Sequence, residues 1–143
     1  MLPKREILSH IGIVFTMLYA VFVGIVYFTE LTVVIPAMLR GTSGDVVLLR
    51  FTGGSFMAGL DAPGYFTMGM ATLFAAPVFM GGRLERWTRR AFLANGILGP
   101  FILLVQVIPS MIYVGALWLV TSNLSAILAT LISHKHIAAR SPV

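Results

Sequence analysis

Glu30 is the ionisable residue whose position most strongly suggests chemistry. It follows an uncharged apolar stretch, residues 11–29, and it is flanked by Thr29 and Thr32. Ionisable side chains in membrane-proximal helices are rare, face protein or water, and commonly relay protons or bind cations. We therefore expect Glu30 to have a functional role. The alternative is a carboxylate at the membrane interface that is hydrated or bonded to Arg40.

Amide side chains provide a second set of polar groups. Asn95, Gln106 and Asn123 all lie in long apolar stretches, and each must find hydrogen-bond partners when it is removed from water. Two interpretations remain open. The amides either connect helices through hydrogen bonds or line a cavity that holds a ligand.

No pattern of residues is typical of a catalytic centre. The sequence has no Gly-x-Ser-x-Gly, no His-Glu-x-x-His and no phosphate-binding loop. Cysteine is absent, which excludes thiolate nucleophiles, thiol-pair oxidoreductases and iron–sulfur ligation. His10, His134 and His136 could supply imidazole ligands, but we interpret them as solvated residues near lipid head groups. We therefore predict no catalytic residue, no metal site and no cofactor.

The composition is that of a membrane protein. Of the 143 residues, 58% are hydrophobic and 10% are charged, whereas soluble domains carry roughly 25% charged residues. Four stretches are long enough to cross a hydrocarbon core of about 30 Å. They are residues 11–29 or longer, 62–80, 91–108 and 111–133. The sequence predicts an all-α fold, a four-helix transmembrane bundle that forms a single domain over residues 1–143.

Prolines, glycines and one aspartate indicate where these helices begin and end. The uncharged run over residues 91–133 would measure about 64 Å as one helix, so it must form a hairpin, with its turn at Pro109. Asp61, two residues before a proline, is typical of a helix N-cap. The first helix is expected to continue past Pro36 with a tilt or a kink. The connection over residues 40–61 is predicted to be interfacial or re-entrant, because irregular backbone exposed to lipid is costly.

The distribution of basic residues predicts the orientation. Two lie in the N-terminal lead, four lie in a basic loop between residues 83 and 90, and two lie in the C-terminal tail, against Arg40 and Arg50 on the other side. The excess indicates a multi-pass protein of the plasma (inner) membrane with both termini in the cytoplasm. The net charge of +5 is explained by contacts with anionic lipid head groups of the bilayer, and no nucleic-acid partner is expected.

Small residues at intervals of four predict close helix packing. Gly12, Thr16, Ala20 and Gly24 share one face of the first helix, where another helix backbone can approach. That helix belongs either to the same chain or to a second copy, so a homo-oligomer remains a possible assembly.

The polar residues of the spans cluster in the half opposite the termini. At 1.5 Å per residue from the cytoplasmic ends, Glu30 lies about 28 Å deep, Gln106 about 22 Å and Asn123 about 15 Å. We predict a cavity that opens to the non-cytoplasmic side and is lined by six residues: Glu30, Tyr65, Thr67, Gln106, Trp118 and Asn123.

A transport protein, or one that binds a small or amphipathic ligand, is the function that the sequence favours. The first alternative is a non-catalytic accessory subunit that docks onto a larger membrane complex through apolar surface. An integral-membrane enzyme acting on a lipid or quinone ranks third, because candidate acids, bases and metal ligands are sparse.

Overall fold

The computed structural model describes residues 4–138, which form helices and short connections without strands. Arg140, counted above among the basic tail residues, lies outside the described part. The α-helices are α1 (Lys4–Thr29), α2 (Ile35–Leu39), α3 (Phe56–Ala75), α4 (Arg83–Val105) and α5 (Ile112–Ala138). Short 3-10 segments cover Ser43–Leu49, Ala76–Val78 and Pro109–Met111.

Three helical stretches are long and apolar enough to cross a membrane. They are Lys4–Leu39, Arg83–Val105 and Pro109–Ala138. The first is continuous because a π-helical segment, Glu30–Val34, joins α1 to α2. This confirms the expected fold class in its coarse form, an all-helical chain with the features of a membrane protein.

The long helices pack in chain order. In the described part of the chain α1 packs along α3, α3 along α4, and α4 along α5. α3 is therefore covered on two sides and contains seven buried residues. By contrast, α1 and α5 each have one long neighbour and expose many large apolar side chains, such as Phe28 and Tyr113.

The π segment accommodates Pro36. A proline within a helix lacks the N–H that would bond four residues back, and its ring crowds the carbonyl there, which belongs to Thr32. The wider turn changes the pairing, so that the Ile35 N–H donates to the Glu30 carbonyl, five residues back. The Thr32 hydroxyl donates to the Phe28 carbonyl at 2.7 Å. The helix consequently continues through Pro36 to Leu39.

The start of α3 differs from the sequence interpretation. Ser55 has an extended backbone, and its hydroxyl oxygen accepts a hydrogen bond from the Ala58 N–H at 3.1 Å, which makes it the N-cap. The helix thus begins at Phe56 rather than at residue 62, because an earlier residue already caps it. Asp61 is not a cap. It lies inside α3 and is buried, with Pro63 in the same helix.

The start of α4 also differs, since the basic segment is helical and is not a loop. α4 begins at Arg83, directly after Gly82, so its basic residues lie on its first two turns. The Arg90 guanidinium carbon lies 5.3 Å from the centre of the Trp87 ring. The predicted turn at Pro109 is present as the 3-10 segment before α5.

Glycines lie at the closest contacts between helices, but one of the two glycines predicted to do so on the first helix does not. A Cβ added at Gly12 would lie 3.2 Å from the Ala71 carbonyl oxygen, so Gly12 does face α3 closely. A Cβ at Gly24 would meet nothing within 4 Å. Gly24 therefore does not belong to a close seam. Instead Gly64 of α3 packs against α1, where its added Cβ would lie 3.0 Å from Val23 Cγ2.

A polar network joins the three helices after α2. Asn95 of α4 is completely buried, and its amide donates to the Thr72 hydroxyl oxygen at 3.1 Å. The Thr121 hydroxyl of α5 donates to the side-chain amide oxygen (Oδ1) of Asn95 at 3.0 Å. Of the two interpretations of Asn95, the structure thus supports the one in which it connects helices.

Candidate functional site

Two cavities lie at the end of the molecule that carries residues 40–55 and 106–111, which we call the loop end. The long helices alternate in direction, so the loop end is opposite Lys4 and Ala138. The cavities are therefore formed by the second half of α1, the first half of α3, the end of α4 and the start of α5.

The first cavity, which we call the α4–α5 cavity, has a volume of about 430 Å³. Residues of α3, α4 and α5 line it together with Phe51, and it is open on one side. Its wall is largely apolar, and its polar side chains are those of Asp61, Tyr65, Gln106 and Trp118. Volumes of 300–1,000 Å³ with few polar groups are typical of sites for small ligands.

The second cavity, the α1 cavity, has a volume of about 400 Å³. It lies between α3 and the helix that runs from α1 into α2, and its wall includes Tyr27 and Glu30. Phe51, Asp61 and Tyr65 line both cavities. The two spaces therefore meet at these three side chains.

Asp61 is the residue that the sequence analysis missed. It is 6% exposed, and no hydrogen bond or salt bridge within residues 4–138 involves its carboxylate. A buried charge without a partner is costly, so such a carboxyl group either takes up a proton or is compensated by a positive charge. The N-cap interpretation had given this carboxylate a structural role. The sequence feature that could have indicated Asp61 is its spacing from Tyr65. The two residues are four apart and lie on one face of an otherwise uncharged helix.

Aromatic side chains connect three helices across the site. The Tyr65 ring lies edge-on to Trp118 with 4.7 Å between ring centres, and 6.5 Å from Tyr19 on its other side. Trp118 is 7% exposed, and its Nε1 has no hydrogen-bond partner within the described residues. Trp118 and Asp61 both line the α4–α5 cavity, and within residues 4–138 neither side chain has a hydrogen-bond partner.

Glu30 holds the connection at the loop end. One of its carboxylate oxygens accepts a hydrogen bond from the Phe51 N–H at 2.5 Å. This bond fixes Phe51, which lines both cavities, to the π-helical segment that follows α1. Glu30 also lines the α1 cavity, so it both positions Phe51 and faces a space where a ligand could lie.

The six residues predicted for the cavity fall into two groups. Glu30, Tyr65, Gln106 and Trp118 line one or both cavities. Thr67 and Asn123 instead bond within their own helices. The Thr67 hydroxyl donates to the Gly64 carbonyl at 2.6 Å, and the exposed Asn123 amide donates to the Leu119 carbonyl at 2.7 Å.

Gln106 closes the edge of the α4–α5 cavity between two helix ends. Its amide nitrogen donates to the Ala58 carbonyl at 3.3 Å, which connects the end of α4 to the first turn of α3.

Within residues 4–138 no group of three His, Asp or Glu side chains is arranged to hold a metal ion.

No family model matches this chain, and no curated protein or solved structure matches it either.

Proposed function

We propose that this chain crosses a membrane four times and binds a small amphipathic molecule at the loop end, on the non-cytoplasmic side, as a transport or ligand-binding protein. The observation that carries the proposal is the meeting of two largely apolar cavities at a buried carboxylate, Asp61. Both cavities lie in the half where the sequence predicts polar lining.

Packing and length support α3 as the fourth span. α3 lies lengthwise between α1 and α4, and its 20 residues measure about 30 Å, the thickness of the hydrocarbon core. Its neighbours cover its polar residues, which explains how a less apolar helix can lie in the membrane. With four spans, the basic residues at both termini and at the start of α4 share one side, as the positive-inside rule requires.

Single cysteines test this topology, since the chain has none of its own. Ser110 and Arg86 are exposed residues at opposite ends of α4. With four spans, a membrane-impermeant maleimide added to intact cells should label Ser110→Cys and spare Arg86→Cys. If α3 did not span, the labelling of these two positions would be reversed. Gly53→Cys should be labelled in either case and serves as the control for expression and access.

Trp118 provides a test of ligand binding. The chain has two tryptophans, so Trp87→Phe leaves Trp118 as the sole emitter, at the wall of the α4–α5 cavity. Titration with N-phenyl-1-naphthylamine, a neutral amphipathic fluorophore, should give saturable energy transfer from Trp118. Ala116→Phe places a ring in the cavity and should abolish the transfer. Ala126→Phe, at another exposed position of the same helix that lines neither cavity, should not. Equal transfer in both variants would refute a ligand site in this cavity.

An accessory subunit remains the second candidate, and one observation favours it. Within residues 4–138, α1 and α5 each have a single long neighbour and present broad apolar faces that other membrane helices could cover. Purification distinguishes the two. An accessory subunit should be recovered with partners at fixed stoichiometry and be unstable alone, whereas a ligand-binding protein should remain monodisperse alone.

A further inference from the structure

We propose that the ligand of these cavities is a hydrophobic organic cation, such as a quaternary ammonium group with an apolar substituent, and that Asp61 is its counter-ion. This inference rests on the proposed function and specifies the chemical class of its ligand.

The charge of the cavity walls is the first argument. Among the described residues, those that line the two cavities include two carboxylates, Asp61 and Glu30, and no lysine, arginine or histidine. Glu30 already accepts a hydrogen bond from Phe51, whereas the Asp61 carboxylate has no partner in the described part of the chain. Because Asp61 lines both cavities, a cation in either one can lie beside it. An anionic ligand would instead place like charges together in a medium of low dielectric constant.

The aromatic side chains are the second argument. Tyr65, Trp118 and Phe51 line the α4–α5 cavity together with Asp61, and Tyr27 joins Tyr65 and Phe51 in the α1 cavity. The faces of aromatic rings carry partial negative charge, and clusters of them bind quaternary ammonium groups. Aromatic side chains and the Asp61 carboxylate thus line both cavities.

The aliphatic part of the cavity walls indicates the chemistry of the rest of the ligand, beyond its cationic group. In the α4–α5 cavity they are formed by aliphatic side chains such as Ile102, Val105 and Leu119. These walls cannot replace the hydration shell of a small metal cation, which needs six or more oxygen ligands. They suit an apolar substituent, whose transfer from water is favourable.

An isosteric pair of probes tests the inference. Benzyltrimethylammonium and neopentylbenzene have the same shape and differ in the positive charge. Their affinities would be measured by Trp118 fluorescence in the Trp87→Phe protein, in a non-ionic detergent. We expect the cation to bind at least about tenfold more tightly, which corresponds to about 1.4 kcal/mol. This comparison needs no change at Asp61, so it does not depend on how an Asp61 variant folds.

Variants then assign the preference to one residue. Asp61→Asn should remove the preference for the cation and leave the affinity for neopentylbenzene unchanged. Asp61→Glu, which keeps the charge, should retain part of the preference. Asp45→Asn is the matched control, because Asp45 is an exposed carboxylate at the same loop end and lines neither cavity. Its removal should have no effect.

The outcomes separate this inference from the proposed function. Equal binding of both probes, or a cation preference that survives Asp61→Asn, would overturn the assignment of the ligand class and leave the ligand site intact. If neither these probes nor N-phenyl-1-naphthylamine altered Trp118 emission, the ligand site itself would be refuted.

Discussion

Replacing Gly96 by alanine probes the close approach of α3 and α4. A Cβ at position 96 would lie 2.6 Å from Leu73 Cβ, 3.0 Å from the Gly69 carbonyl oxygen and 3.1 Å from Leu73 Cα. Carbon atoms in contact prefer separations of about 3.5–4.0 Å, so the two helices must move apart by about 1 Å. Two of the three neighbours are backbone atoms, so rotation of a side chain does not relieve the clash.

The expected cost follows from this geometry. Overpacking of this kind destabilises a protein by about 1–3 kcal/mol. Separation of the helices also strains the Asn95–Thr72 hydrogen bond of 3.1 Å, which crosses the same interface. Gly24→Ala is the matched control, because it makes the same change within a helix and its Cβ meets nothing within 4 Å. Both variants share the gain in helix propensity, so their difference isolates the clash.

The assay is the apparent Tm in detergent, measured by size-exclusion chromatography after heating. At roughly 3 °C per kcal/mol, Gly96→Ala should unfold roughly 3–9 °C below Gly24→Ala. Equal Tm values for the two variants would show that α3 and α4 do not approach as closely as described.

Three further predictions concern hydrogen bonds. Thr121→Val removes the bond from α5 to the buried amide of α4 and should cost about 0.6 kcal/mol, up to about 1.7, whereas Asn123→Ala should leave the apparent Tm unchanged because Asn123 is exposed. Ser55→Ala removes the N-cap of α3 and should cost about 1 kcal/mol in chemical unfolding, with Ser55→Asn restoring most of it. Glu30→Ala frees the segment that begins at residue 51 and should accelerate tryptic cleavage after Arg50 severalfold, and an unchanged cleavage rate would contradict a positioning role for Glu30.

Much of the fold was accessible from the sequence because long uncharged stretches have few alternatives to helices. The three strongly apolar helices and the turn at Pro109 were predicted in this way. The residue at which a helix starts was harder to predict, since several residues near one start can serve as its N-cap. For α3, Ser55 and Asp61 are both residue types that can cap a helix. The structure has Ser55 at the N-cap, and Asp61 lies inside the helix. For α4, the charges between residues 83 and 90 suggested a loop, although charged residues are good helix formers at the end of a span.

The site was accessible in part. Depth along the helices placed Glu30, Tyr65, Gln106 and Trp118 at one end, and all four line cavities there. Depth does not specify which way a side chain faces, however, which is why Asn123 proves to be exposed. The same limitation affected Gly24, whose spacing from Gly12 fits a regular seam while the contact with α3 involves Val23.

The packing of the long helices in chain order has a consequence for biosynthesis. Contacts between neighbouring segments close short loops and form without waiting for distant parts of the chain. When α3 is synthesised, α1 is already available to cover one of its sides, and α4 follows to cover the other. The helix that carries Asp61 therefore has a partner from the moment it is made. Packing in chain order therefore allows assembly to follow synthesis, because each long helix after α1 packs on one that was made before it.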